Sequence, residues 1–169
     1  MTMKSKTKDM VLCGIFAAVI CICSVISLPV GAVPVSLGTF GIMLTSNTLG
    51  IKRGFISTAV FVLLGLLGLP VFSGFQGGIG VLAAPTGGFI IGYIFMPLIS
   101  GIRANRIKQI FLNLGAVLLC YITGALWFMH LTGMGLKTAV AVCIAPFIVF
   151  DIIKAIGSAF LADSIKKHI

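Results

Sequence analysis

Asp151 and Lys154 stand three residues apart inside PFIVFDIIKAIGSAFLADSI, the apolar stretch from Pro146 to Ile165. A carboxylate accepts hydrogen bonds and an ammonium donates them. Together they can grip a ligand that carries both kinds of group, or the carboxylate can act as an acid or base. The stretch is long enough to cross a bilayer. An ionisable side chain at that depth costs about 2.5–3.5 kcal/mol on insertion scales unless something compensates it. Positions three apart on a helix share a face, so both side chains should point into a bundle rather than at lipid. The other acidic residues, Asp9 and Asp163, fall near the ends of apolar segments, and the chain has no glutamate. The alternative is an internal ion pair that only ties two helices together.

The elements that must hold this pair are read from the whole chain. Of its 169 residues 59% are hydrophobic and 9% charged, and the mean hydropathy is +1.23. Soluble domains carry about 25% charged residues. Continuous apolar runs exclude a barrel, whose strands alternate, so the expected class is an all-α integral membrane protein. Six transmembrane segments are expected in a single domain over 1–169, at about 10–28, 35–51, 54–69, 86–102, 109–128 and 146–165. MHLTGMGLKTAVAVCIA, before the last, reads as a loop with a short apolar helix. Proline is favoured in a first helical turn, which places the start of segment six at Pro146. Pro97 should kink segment four.

The net charge of +9 does not point to nucleic acid, because the basic residues cluster between apolar segments, where they set orientation. With the N-terminus in the cytoplasm, Lys4, Lys6, Lys8, Lys52, Arg53, Arg103, Arg106, Lys108, Lys166 and Lys167 fall inside and Lys137 outside. Both termini are then cytoplasmic, and loops one, three and five face outward. The lysines before the first apolar run suit a signal peptide, but that run leads on into further membrane segments, so no cleavable signal is expected. With segment six starting at Pro146, Asp151 and Lys154 sit roughly 8 and 12 Å below its outer end.

Further residues bear on the site. SGFQGGIGVLAAPTGG, Ser73 to Gly88, has six glycines and no charge. It reads either as a plain loop or as backbone that lines a cavity. No GxxxxGK[ST] occurs, so the chain carries no ATPase loop of its own. Ser36 and Thr39 lie near the outer end of segment two, where their hydroxyls face a ligand or bond back to helix carbonyls. Segment one has small residues at Gly14, Ala17, Ala18 and Cys21, spaced for close helix approach, to a partner or within the bundle. The five cysteines lie in apolar stretches without a CxxC and read as packing residues. His130 and His168 are isolated, so no metal site is expected. Tyr93, Tyr121 and Trp127 read as interface aromatics.

VPVSLGTFGIML, then GIKRGFISTAVFVLLGLLGLPVFSGFQGGIGVLAAPTGGFIIGY, then PFIVFDIIKA resemble the BioY family, the biotin-specific substrate-binding membrane subunits (S-components) of energy-coupling-factor transporters. The resemblance runs over nearly the whole chain. It implies a six-helix fold in the cell membrane, a biotin site beneath outer loops one and three, a membrane scaffold partner and two cytoplasmic ATPases. It implies no catalytic residue and no cofactor, biotin being the transported ligand. Carried over, Asp151 and Lys154 match the family's biotin-contacting aspartate and lysine, Gln76 lies near a polar contact of the third loop, and Thr39 lies in the matching first-loop region. Ser36 and Gly77 complete the expected substrate-binding set, and Gly14, Ala17, Ala18 and Cys21 form the expected docking face for the scaffold. The chain departs from the family at Gly38, often glutamine, at Ala84, often glycine, and at Phe89, often tyrosine. Chemically, Asp151 can take the N–H groups of biotin's ureido ring and Lys154 its carboxylate. An Asp/Lys pair equally suits another small acidic vitamin. A small intramembrane enzyme using Asp151 and a purely structural subunit are the readings from other classes.

Overall fold

A computed structural model describes residues 3–28 and 34–168. Most of the first outer loop expected at Pro29 to Pro34, and the start of the stretch from Gly31, lie outside the described residues. Seven α-helices are present among those described: α1 (Met3–Val25), α2 (Gly38–Leu49), α3 (Ile51–Leu66), α4 (Gly87–Ser100), α5 (Arg106–Thr132), α6 (Leu136–Cys143) and α7 (Ile148–Lys166). Two short strands, β1 (Ser27–Leu28) and β2 (Val35–Ser36), pair antiparallel across the first connection.

The helix boundaries differ from expectation for local reasons. α1 begins within the basic tail, because KSKTKD contains nothing that stops a helix. α5 runs from Arg106, where the Asn105 side chain accepts from the Lys108 N–H at 3.0 Å, to Gly133, which closes it with φ +70°. Such side-chain and left-handed caps satisfy groups that a helix end leaves orphaned. Pro146 lies in a turn before α7 rather than in its first turn, and the Phe147 carbonyl takes the Asp151 N–H at 2.9 Å. α6 and α7 are bent by 52° at this break.

Among the described residues, length and composition make two helices long and apolar enough to cross a membrane, Lys6–Val25 and Arg106–Thr132, or three if the bent pair α6–α7 counts as one span. α2 has 12 residues, about 18 Å of helix. Its polar sequence is explained by its position. Every residue of α2 except Phe40 is buried, with α1, α3, α4 and α7 packed around it. Ser46 and Thr48 donate to the carbonyls of Ile42 and Leu44, each at 2.7 Å, so those hydroxyls are satisfied without leaving the helix.

α7 lies along α2 through Asp151, Lys154, Ala155, Ser158, Ala159 and Ala162, a spacing of three and four that makes one helical face. Its other faces are apolar and exposed, as at Val149, Ile153 and Phe160. α5 is tied to α7 and α2 by buried amides. Asn113 donates to the Ala155 carbonyl and Ser158 Oγ at 3.0 Å, and Gln109 donates to Asn47 Oδ1 at 2.8 Å. In this low-dielectric interior such bonds fix register.

The glycine-rich stretch between α3 and α4 is anchored rather than loose. Phe72 inserts into the core against Phe61, ring centroids 5.5 Å apart and edge-on. The insertion needs Gly65, whose Cβ would fall 2.2 Å from the Phe72 ring. The Gly78 N–H bonds the Gly65 carbonyl at 2.7 Å, and the Gly74 N–H bonds Ser27 Oγ at 3.0 Å. A 3-10 turn, Ile79–Ala83, then leads into α4.

Candidate functional site

Asp151 and Lys154 come together in the wall of a cavity that is partly open to solvent. The helical face described above directs both side chains inward from the first two turns of α7. Each is buried, 4% and 7% exposed. Lys154 Nζ lies 2.8 Å from Asp151 Oδ1. The ammonium also donates to the Ser36 carbonyl at 2.7 Å and to Thr39 Oγ1 at 3.4 Å. Thr39 Oγ1 in turn donates to Asp151 Oδ1 at 3.2 Å. Tyr121, from α5, donates its phenolic O–H to Asp151 Oδ2 at 2.5 Å.

The pair is therefore a neutral, hydrogen-bonded unit. Buried charges of this kind hold only when paired and bonded, and removing one partner typically costs about 3–5 kcal/mol. A division of labour with Asp151 and Lys154 at opposite ends of a ligand requires the side chains to diverge; here they converge. The unit presents a strong acceptor beside a strong donor at one place. The rest of the wall is largely apolar and aromatic, with Phe72, Phe89, Ile90, Tyr93, Val117 and Phe147. An apolar chamber with a few placed polar groups is the usual form of a small-molecule site.

Of the six residues expected to contact substrate, Asp151, Lys154, Thr39, Ser36 and Gln76 line this cavity, and Gly77 does not. Gly77 has a packing reason instead, since a Cβ there would fall 2.4 Å from the Leu69 carbonyl oxygen. Ser36 contributes its backbone carbonyl to Lys154, while its hydroxyl accepts the Gly38 N–H at 3.2 Å. Gln76 stands on the exposed loop at the rim.

Three residues that bear on the site were not singled out for it from sequence. Tyr121 and Tyr93 are lining residues rather than interface aromatics. A buried tyrosine hydroxyl needs a partner, and Asp151 supplies the one for Tyr121. Ser24, on α1, is 1% exposed, lines the cavity, and its hydroxyl has no partner among the described residues. Trp127 donates to the Ala84 carbonyl at 3.2 Å and closes the α4–α5 end. Among the described residues there is no cluster of potential metal ligands.

The expected docking face on α1 divides. Cys13, Phe16, Ala17, Ile20 and Ser24 are buried. Gly14 and Ala18 point outward with Val11, Ile15 and Ile22, and Cys21 lies at the edge. Positions 14, 18 and 22 share one helical row, whereas Ala17 falls on the row that packs into the bundle.

A family model described as the BioY family matches residues 1–169. The "Probable biotin transporter BioY" of Pyrococcus horikoshii is 34% identical over 163 residues, covering 96% of this chain and 99% of that protein. The "Biotin transporter BioY" of Thermotoga maritima is 34% identical over 168 residues, covering 95% of this chain and 96% of that protein. Among solved structures, the S-component for biotin from an ECF-type ABC transporter superposes with a TM-score of 0.92 at 30% identity, covering 99% of this chain and 95% of that one.

Proposed function

The chain belongs to the BioY family, and on that premise we propose that it is the substrate-binding membrane subunit of a biotin uptake transporter. It takes biotin from the outer side of the cell membrane and delivers it inward with a membrane scaffold subunit and two cytoplasmic ATPases. It performs no covalent chemistry on the vitamin. The whole of 1–169 forms one membrane domain with six crossings, α6 and α7 together making the last, and both termini are cytoplasmic.

The observation that carries this reading is the buried Asp151–Lys154 unit, closed at 2.8 Å, in the wall of an aromatic chamber. A ureido ring offers N–H donors and a carbonyl acceptor side by side. The carboxylate takes the N–H groups, and the ammonium, exchanging its long 3.4 Å contact with Thr39, donates to the carbonyl. The pair, steadied by Tyr121 and Thr39, thus reads the ureido end as a unit. The fused rings and valeryl chain lie against Phe72, Phe89 and Val117, and the carboxylate points to the rim near Gln76. The orientation is supported by how the fold sorts charge. Lys8, Arg53, Arg103 and Lys166 gather at one end of the bundle, while Lys137 follows the far end of α5, 27 residues away, about 40 Å.

Mass spectrometry of ligand released from the purified, detergent-solubilised protein tests the proposal. Intact biotin in the released fraction is expected. Another vitamin, or a chemically altered product, would overturn it.

A further inference from the structure

At the end of the bundle opposite the biotin cavity's mouth lies a second hollow, open to the surrounding medium. Lys8, Asp9, Leu12, Thr48, Leu49, Arg53, Arg103 and Lys166 line it. Four cations converge there from α1, α3, the α4–α5 connection and α7, and among the described residues that line it Asp9 supplies the one carboxylate. That carboxylate is taken by Arg53 at 2.9 Å. Among the described residues the ion-pair partner of Lys166 is Asp163 at 3.8 Å, which also lies 3.0 Å from Arg106. Among the described residues Arg103 makes no ion pair, and its Nε lies 3.9 Å from where a Cβ on Gly50 would stand, over the α2–α3 junction. Gly50 has φ +85°, so a side chain is disfavoured there and the junction stays open. α3 starts at that point with Lys52 and Arg53 and no acidic residue in its first turn. A helix N-terminus carries partial positive charge and favours anions, so the local excess is compounded rather than relieved.

We propose that this hollow binds the phosphate head group of an anionic lipid of the cytoplasmic leaflet. The assignment of leaflet rests on the orientation proposed above. Clustered cations at the cytoplasmic ends of membrane helices attract anionic head groups, and arginine suits phosphate through its planar fork. A lipid is chosen over a soluble anion because apolar surface adjoins the cations. Val11 and Ile15 on α1, and Ile51 and Phe55 on α3, are exposed and spaced four apart, so each couple forms a row along its helix. α1 packs on α3, and acyl chains can lie along these rows while the phosphate meets Arg103, Lys166 and Arg53. Bound lipid would relieve the repulsion among the cations and hold α1, α3 and α7 together at their inner ends.

The test uses the full chain in nanodiscs or neutral detergent, titrated with phosphatidylglycerol or phosphatidylcholine and read by native mass spectrometry. Two double variants remove equal charge: Arg103→Gln with Lys166→Gln inside the hollow, and Lys108→Gln with Lys137→Gln outside it. The Arg53–Asp9 pair is left intact in both. The inner variant should bind phosphatidylglycerol roughly thirtyfold more weakly, the loss expected for two surface cations, and the outer variant should match the unmodified chain. Equal losses in both variants, equal binding of phosphatidylcholine, or displacement by glycerol 3-phosphate at the lipid's own concentration would each overturn the proposal. Biotin binding is measured alongside. Its retention in the variants shows that they are folded, and its absence from the unmodified chain would refute the transport reading while leaving the lipid comparison intact.

Discussion

Tyr121 donates to Asp151 Oδ2, the oxygen opposite the one that Lys154 occupies. The carboxylate is thereby held from both sides, by a cation on its own helix and by a phenol on α5. A rotatable carboxylate becomes a fixed acceptor, and the rigidity comes from two helices far apart in sequence. Removing the phenol with Tyr121→Phe should weaken biotin binding by about tenfold, since a hydrogen bond to a charged group is worth about 1.5–3 kcal/mol. Isothermal titration reads this directly, and unchanged affinity would mean that Asp151 is positioned by Lys154 alone.

Lys154 distinguishes two ways of seating the ligand. If the Asp151–Lys154 unit reads the ureido end, Lys154→Met should weaken biotin and neutral biotin amide by the same factor. A loss confined to the acid would place Lys154 at the carboxylate instead. Because breaking a buried pair costs about 3–5 kcal/mol, the variant should also be less stable. Asp151→Asn combined with Lys154→Met should recover part of that stability, as it leaves no unpaired charge.

The two alanines of α1 separate packing from docking. Ala17 is 2% exposed whereas Ala18 faces outward. Ala17→Trp should disrupt the fold and lower detergent stability. Ala18→Trp should leave biotin binding within about twofold, below the 1.4 kcal/mol that a tenfold change represents, yet prevent assembly with the scaffold subunit. Co-purification of the complex gives the readout, and normal assembly of Ala18→Trp would remove this face from the interface.

Single cysteines on a cysteine-free background test the orientation. A label placed between Arg103 and Lys108 should react only after the cell is opened, because the basic clusters mark the cytoplasmic side. Reaction from outside intact cells would reverse the proposed topology.

The heart of the site was legible because Asp151 and Lys154 are the charges that membrane orientation does not account for, and their spacing alone puts them on one face. Their mutual closure was not legible, since spacing says nothing of whether two side chains diverge or converge. Tyr121 was read as an interface aromatic. A lone tyrosine in an apolar helix carries no sign of its partner, and the partner lies 30 residues on. The polar run Thr45 to Thr48 marked α2 as unusual, but its burial among four helices depends on tertiary packing. The division of the α1 face follows from the angular position of Ala17, which small-residue spacing cannot resolve. Gly77 looked like an approach point for ligand, and the backbone that approaches it is the chain's own, at Leu69.

If the buried charge unit recognises biotin, affinity depends on the Asp151 carboxylate. Equilibrium titration of the purified chain with biotin, beside Asp151→Asn, tests it most directly. Asparagine keeps the shape but presents N–H groups where an acceptor-only carboxylate stood. Saturable binding of one biotin per chain, recovered intact, and a loss of about ten- to a hundredfold in the variant are expected. Biotin binding that is equal in the two proteins, or absent from both, would contradict it.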